Sequence, residues 1–544
     1  MLINKKGATP VDKQTIIDKI ESANTALGIE LGSTRIKAVL VTDDYQVIAS
    51  GDYVWENELR DHIWTYSLDK VWEGIQTSYA KLAASVTEQF GVKLAKIGSM
   101  GISAMMHGYM PFDKDDNLLV PFRTWRNNIT AEAADKLTKL FDFNIPQRWS
   151  VAHLYQAILN DESHVKDITF LTTLDGYVSW QLSGQKNTGI GDASGMFPID
   201  EATKTYDKQL LDKFSSLPEV AKFNWNIADI LPKVLLAGEP AGKLTAAGAK
   251  KLDPSGQLQP GALIAPSEGD AGTGMVATNA VRKRTGNISA GTSAFSMVVL
   301  DQQLNKVHRD IDMVTTPDGA PVAMVHTNNC SSDINAWANI FNQFAKVLGI
   351  SLPTNELYEK LFDASLRGDQ DAGGLVNFSY LSGENITEVQ DGRPMMVRKP
   401  DSRFTLANIF KAQLYSAFAP LKIGMDILLR EEHIRTDVLV AQGGLFKTPV
   451  VAQQVLADAL DTPITLMSNA GEGGPWGMAV LALYASDSKG KNLADYLDEE
   501  VFANAESSTL YPEDESVQGY EQFIDNYKEA LPAEIEAGKS MKLN

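Results

Sequence analysis

Cysteine is nearly absent from this sequence: Cys330 is the only one in 544 residues. That excludes a disulfide framework and a thiolate metal site, and it fits a reducing compartment. Long apolar runs are missing too. Nothing approaches the ~18 uncharged apolar residues of a membrane-crossing helix, and the first thirty residues hold no run of leader-peptide type. Positive charge is also scarce. With 49 basic against 69 acidic residues the formal net charge is −20, which argues against a nucleic-acid partner, because such a protein needs basic surface to neutralise phosphates. Any anionic substrate must therefore be held by local groups and a cation. A cytoplasmic protein with neither membrane nor nucleic acid as partner is the expectation.

What is present is enough apolar material for large cores, 44% of the chain. At this length two to four domains are expected. Leu27 to Val41 reads as strand, tight turn and strand, LGIE then LGSTR then IKAVLV, rich in the branched residues strands favour. Helical periodicity from Leu68 to Gln89 then alternates with short apolar strands such as IGSMGIS, an α/β pattern. A second strand, turn and strand at Gly286 to Leu300, GNISAGTSAFSMVVL, puts Gly291-Thr292-Ser293 where the first has Gly32-Ser33-Thr34. Two such turns half a chain apart suggest two related halves. The expected organisation is an N-terminal extension over 1–24, domains over 25–280 and 281–486, and an acidic, helix-prone C-terminal extension over 487–544 that carries no motif.

A turn of glycine followed by hydroxyl residues offers backbone N–H groups and side-chain donors to phosphate oxygens, though it is also an ordinary hairpin turn. Lys37 lies close enough to Ser33 and Thr34 to add a charge. At AQGGLFKTPVVAQQVLADAL, Gly443 and Gly444 end a strand, Thr448 can cap and Pro449 suits the first helical position. A helix N-terminus beside paired glycines suits a phosphate or a flat base, and equally a plain strand-to-helix connection. GGLFKT lacks the glycine a Walker loop has before its lysine, and the run Gly471 to Gly474 completes no dinucleotide fingerprint. Asp270 stands in SEGDAGTG among residues almost too small to cover it. On its own it can take a proton, hold a metal or start a helix.

In this order the motifs resemble those of the FGGY carbohydrate kinases, and the resemblance spans roughly Ala26 to Ser486. GIELGSTRIKAV is similar to the first phosphate motif, MMHGYMPFD and FRTWRNN to sugar-site segments, and GDASGMFPID to the segment around Asp192. SEGDAGTG is similar to the catalytic-base motif, NISAGTS to the second phosphate motif, and QGGLFKTPVVAQQVLAD to the adenosine motif. The resemblance implies an α/β fold of two related ribonuclease H-like domains of the actin, hexokinase and Hsp70 superfamily, with an interdomain cleft. It implies a sugar kinase using ATP and Mg2+, with Asp270 as general base. Met106 and His107 would contact the sugar, with Trp125 and Asn127 or Asn128 lining the same pocket. Gly32, Ser33, Thr34 and Lys37 would meet the transferring phosphoryl, Gly291 and Thr292 the β- and γ-phosphates, and Gly443, Gly444, Phe446 and Lys447 the adenosine. A homodimer is compatible with this reading.

The pattern also departs from the family. Glu30 stands where the first phosphate motif usually has Asp, leaving a metal contact through water as its implied role. PQRWSVAHLYQ at Pro146 to Gln156 occupies the place of a signature carrying Lys and Trp, with His153 and Gln156 there instead. Trp125-Arg126-Asn127-Asn128 replaces Trp-Asn-Asp. The chain as a whole, with HTNNCSSDINAW at His326 to Trp337, resembles bacterial ribulokinases, which implies L-ribulose as acceptor with D-xylulose the alternative. Rival readings are a non-catalytic ATP-driven switch and a sugar sensor of the same fold. Asn328, Asn329 and Asp333 read as local capping.

Overall fold

A computed structural model describes residues 12–448, 450–467 and 473–542. Two compact units divide the chain, and each is discontinuous: the first contains 12–279, Val314–Ala320 and 473–504, the second 280–313, 321–467 and 505–542.

In the first unit, the apolar runs read as strands form β1 (Thr25–Leu31) and β2 (Arg35–Thr42), an antiparallel hairpin that β3 (Val47–Val54) extends. On the other side of β1 lies β4 (Ser99–Ala104), parallel to it. β5 (Gly242–Lys243) and β6 (Leu263–Ile264) complete that edge, and β7 (Glu268–Gly269) continues beside β4. Helix Leu68–Phe90, capped by Ser67 and ended by Gly91 in the left-handed region, covers β2 and β3. Helix Gly473–Ser486 covers β1 and β4. That helix lies unusually close to the sheet, because a Cβ on Gly28 would stand 1.9 Å from the Pro475 carbonyl oxygen and one on Gly101 2.2 Å from Met478. The lead-in helix Lys13–Glu21 buries Ile16 and Ile20 in the same core.

The second unit repeats the plan. β8 (Thr285–Ala290) and β9 (Ala294–Val299) form the hairpin, β10 (Pro321–Thr327) extends it antiparallel, and β11 (Val438–Gly443) runs parallel to β8. β12 (Ile464–Met467) is parallel to β11, and β13 (Ser507–Leu510) closes the edge antiparallel. Six strands of each seven-stranded sheet, in the orders β3-β2-β1-β4-β6-β5 and β10-β9-β8-β11-β12-β13, correspond with the same parallel and antiparallel steps.

The residues after 486, read above as one extension, are shared between the units. Tyr496 in the first unit brings its hydroxyl 3.0 Å from that of Tyr45. In the second, helix Asp514–Ser540 sends Tyr520, Phe523, Ile524 and Tyr527 into the main core against helix Leu406–Asp426. Lys422 on the latter, 2% exposed at its side chain, pairs with Asp426 at 2.6 Å and with Glu521 of the C-terminal helix at 2.8 Å. Residues 472–486, assigned above to the second domain, fall in the first unit from 473 onward because their apolar face lies on β1 and β4. No described helix is long and apolar enough to cross a membrane.

Removing Lys422 from this cluster takes away its buried cation and leaves Asp426 and Glu521 to Arg430, which pairs with both from a half-exposed position. Lys422→Ala is expected to destabilise the second unit by the lower part of ~3–5 kcal/mol, since Glu521 keeps some water. Thermal unfolding followed with a probe in the second unit checks it.

Candidate active site

Both sheets place their motifs at the carboxyl ends of parallel strands, where open α/β sheets bind ligands. In the first unit these ends belong to β1, β4 and β7. Register sets Lys37, Glu30, Ser103 and Glu268 in one row across the sheet. Met105, Met106 and His107 follow β4, and Asp270 follows β7 as the first residue of helix Asp270–Ala277.

Asp270 stays open to solvent, yet the surrounding protein strips enough water from its carboxyl to push it up to about 6. The amides of Met106 and Ala271 pull the other way, and the charge of Asp175 adds to the rise. The Met106 N–H donates to Asp270 Oδ1 at 3.4 Å. Met106 itself is buried over Gly269, where a Cβ would stand 2.0 Å from its Cγ. His107 is buried too, with φ +70°, followed by Gly108 at +104°. A left-handed pair straight after a strand turns the chain sharply and holds the imidazole in place, a strain that persists only where surroundings fix it. The ring stacks on Trp149 at 6.4 Å between centroids, and its Nδ1 lies 3.3 Å from the Gly195 carbonyl.

Glu30 is half-buried, and loss of water, then the nearby Asp270 charge, push its carboxyl up to about 8 against the pull of Lys37. Its Oε2 lies where a side chain on Gly474 would begin: a Cβ there would be 1.5 Å from it, and 3.0 Å from Thr273 Oγ1. The buried Thr273 hydroxyl in turn lies 3.1 Å from that of Ser103. Glu30, Asp270, Ser103, Thr273 and Gly474 thus form one group, of which the sequence reading held only the first two. Gly474 had been noticed in a glycine run without a role, and Ser103 and Thr273 gave no signal of their own.

The Gly32-Ser33-Thr34 turn is pinned by its carbonyls rather than its hydroxyls. Trp55 Nε1 donates to Gly32 O at 2.7 Å and the Tyr66 hydroxyl to Ser33 O at 2.6 Å, with the two rings stacked at 4.1 Å. Behind the base lie more acids. Thr173 Oγ1 is 2.8 Å from Asp175 Oδ1 and 2.6 Å from Asp192 Oδ2, all fully buried. One hydroxyl hydrogen cannot serve two acceptors, so one of these carboxyls carries a proton, and burial raises both, Asp192 well above the usual carboxylate range.

Some expected sugar contacts are not brought to this group. Asn127 is buried and spent: its amide donates to Trp64 O at 2.8 Å and Thr124 O at 3.0 Å, and its Oδ1 accepts the Trp64 N–H at 2.8 Å. It imitates a strand partner, which leaves it no donor for a sugar. Asn128 and Trp125 are both exposed. His153 is fully buried against Tyr109 and pushed down to about 3, hence neutral, while Gln156 Oε1 accepts the Ala133 N–H at the start of helix Ala131–Phe141.

The remaining motifs lie in the second unit. Gly291 N–H donates to Ser293 O at 2.9 Å and its carbonyl accepts from Ser331, so the turn is tied to helix Ser332–Val347. Thr292 is exposed at its tip. Gly443, φ +124°, passes so near Ala290 that a Cβ would meet its carbonyl oxygen at 2.1 Å, whereas Gly444 has open space beside it. Phe446 packs towards Phe418 and Lys447 is exposed. The helix begins at Val451, after Val450 at φ +72°, a conformation that stops helical turns before it. Pro449, read as its first residue, lies outside the described residues. Asn329 is a clamp, with its own amides and that of Asn328 bonded to the buried Glu384 and its Oδ1 accepting from Leu381 and Ser382. Among the described residues no group of three or more His, Cys, Asp or Glu could hold a metal ion.

Two family models match the chain: the N-terminal domain of the FGGY family of carbohydrate kinases over residues 25–255 and the C-terminal domain of the same family over 286–486. A xylulose kinase of Haemophilus influenzae is 21% identical over 517 residues, which cover 92% of this chain and 98% of that one. A xyloylose kinase from Brucella ovis superposes with a TM-score of 0.75 at 19% identity, covering 94% and 99% of the two chains. A gluconate kinase from Lactobacillus acidophilus does so almost equally, at 0.74 and 16%, covering 95% and 99%. Backbone likeness therefore does not choose among acceptors.

The Glu30–Gly474 contact has a direct test. Gly474→Ala is expected to cost about 1–3 kcal/mol through overpacking, and adding Glu30→Asp, one methylene shorter, should recover at least about half of that. Thermal unfolding of the single and double variants provides the comparison.

Proposed function

This chain belongs to the FGGY family of carbohydrate kinases, which are phosphotransferases, and we propose on that premise that it moves the γ-phosphate of ATP to a terminal hydroxyl of a ketopentose, D-xylulose. The observation that carries the reading is Asp270: an accessible carboxylate at a helix start, tied to the backbone of Met106, with its acidity already lowered towards neutrality. The sequence had favoured L-ribulose. The matching curated relatives are named xylulose kinase instead, and nothing in the site argues for ribulose against them.

In this reading a sugar hydroxyl, a poor nucleophile, loses its proton to Asp270 as it attacks the γ-phosphorus. A carboxylate held near 6 is still ionised at neutral pH and is a stronger base than an ordinary aspartate. His107 offers a hydrogen bond to another hydroxyl from a ring held by Trp149, and Met106 walls the pocket. The Ser33 and Thr34 turn and Lys37 receive the transferring phosphoryl, Gly291 and Thr292 the remaining phosphates, and Gly443 with Gly444 the adenosine. Magnesium, when bound, neutralises phosphate charge. Glu30 suits it as a single carboxylate, directly or through water, because such ions take one or two protein carboxylates with the phosphates. Neither rival gains support: a switch or a sensor has no use for a base with raised basicity beside a buried Met-His pair.

Coupled ADP release with Mg-ATP tests this across D-xylulose, L-ribulose, D-ribulose and glycerol. D-Xylulose is expected to give the highest kcat/KM, and Asp270→Asn to lower it by at least about a hundredfold. ADP release that ignores every sugar would return the switch reading. The pH dependence is a separate expectation: Asp270 must be ionised to act, so kcat falls as pH drops through about 6, above the range of an ordinary aspartate.

A further inference from the structure

Glu268 has no part in the chemistry above, although it stands two residues before the base. It is 1% exposed and begins β7 opposite Ser103. Its Oε1 accepts the Gly191 N–H at 3.3 Å, and its Oε2 is buried with no partner among the described residues. Three glycines make its seat. A Cβ would stand 2.3 Å from Oε1 on Gly189, 2.2 Å from Oε2 on Gly191 and 3.1 Å from Oε2 on Gly272. Gly191 lies in the short helix Ile190–Ala193, which also carries Asp192, and Gly272 in the first turn of the helix that begins with Asp270. The Gly189 N–H donates to Ser267 O at 2.8 Å, so the 189–191 segment is laid directly along the strand that leads to the base.

One carboxyl thus fills the space between two helix starts. A buried polar group with an unpaired oxygen is a poor device for stability. Its placement gives it a different use. We propose that Glu268 is a positioning residue for phosphoryl transfer: seated among Gly189, Gly191 and Gly272, it fixes the first turn of the 270–277 helix and hence the aim of the Asp270 carboxylate. This rests on the kinase reading. Burial pushes the Glu268 carboxyl up to about 8, so the group that holds this seat at neutral pH is the uncharged acid, which an amide can imitate.

The test is steady-state kinetics on the full-length protein with D-xylulose and Mg-ATP, comparing Glu268→Gln, Glu268→Ala, Gly191→Ala/Glu268→Ala and Asp270→Asn. Glu268→Gln should keep kcat within about threefold. Glu268→Ala should lose about tenfold to a hundredfold in kcat, the scale of a slightly misplaced reacting group, with both KM values within about twofold. In the double variant a methyl returns part of the lost volume, and kcat should stay low. Wild-type kcat in Glu268→Ala, recovery in the double variant, or a loss confined to KM would overturn the proposal. If Glu268→Ala does not fold, Gly191→Ala alone displaces the carboxyl without removing it, and normal kcat there overturns the proposal equally. An inactive Asp270→Asn beside a fully active Glu268→Ala removes Glu268 from the mechanism and leaves the base. A fully active Asp270→Asn removes the base, and this proposal with it.

Discussion

Acid crowding governs the first unit. Glu30, Asp175, Asp192, Glu268 and Asp270 gather around the carboxyl ends of β1, β4 and β7, and desolvation is the largest influence on every one of them. Five ionised carboxylates in so small a volume would repel one another and forfeit their hydration. The surrounding features relieve that conflict: a proton kept between Asp175 and Asp192 through Thr173, a glycine seat that accepts Glu268 as a neutral acid, and a single lysine, Lys37, opposite Glu30. Asp270 is the most exposed of the five, with Glu30 half-buried and the others buried. It is therefore the member best able to exchange a proton with a substrate.

The two units answer the same problem with the same sheet and different contents. In each, a hairpin turn beside a central strand and the end of the neighbouring parallel strand frame one edge. The first unit fills that edge with acids and the Met-His pair. The second fills it with glycines and hydroxyls, and its buried acid Glu384 is consumed in holding the Asn328-Asn329 turn. The same strand order thus carries acids in one unit and glycines with hydroxyls in the other.

Local signals were legible in the sequence. The paired GST and GTS turns gave both hairpins, because alternating branched residues and a short polar turn allow little else, and Asp270 was visible as a lone carboxylate among small residues. Contacts across the fold were not. Nothing near Glu30 announces Gly474, and nothing near Glu268 announces Gly189 and Gly191, since each fit exists only once distant segments meet. Asn127 gave no sign in sequence that its amide bonds backbone groups, because an amide so used looks like one available to a ligand. The docking of the last helix had a signal that went unused: Tyr520, Phe523, Ile524 and Tyr527 lie at helical spacing along one face. The acceptor sugar is the least legible feature, because the chemistry of His107, Met106 and Asp270 suits any small polyol equally.

Helix Gly473–Ser486 closes the face of β1 and β4, yet roughly 440 residues separate it from the end of β1. On a ribosome adding about 5–20 residues per second, the central strands emerge some tens of seconds before their cover. During that interval Gly28 and Gly101 mark a bare apolar groove on a sheet that cannot yet be completed. The first unit therefore cannot finish until most of the second has been made, and its synthesis depends on the nascent chain staying out of trouble until residues 473–504 arrive.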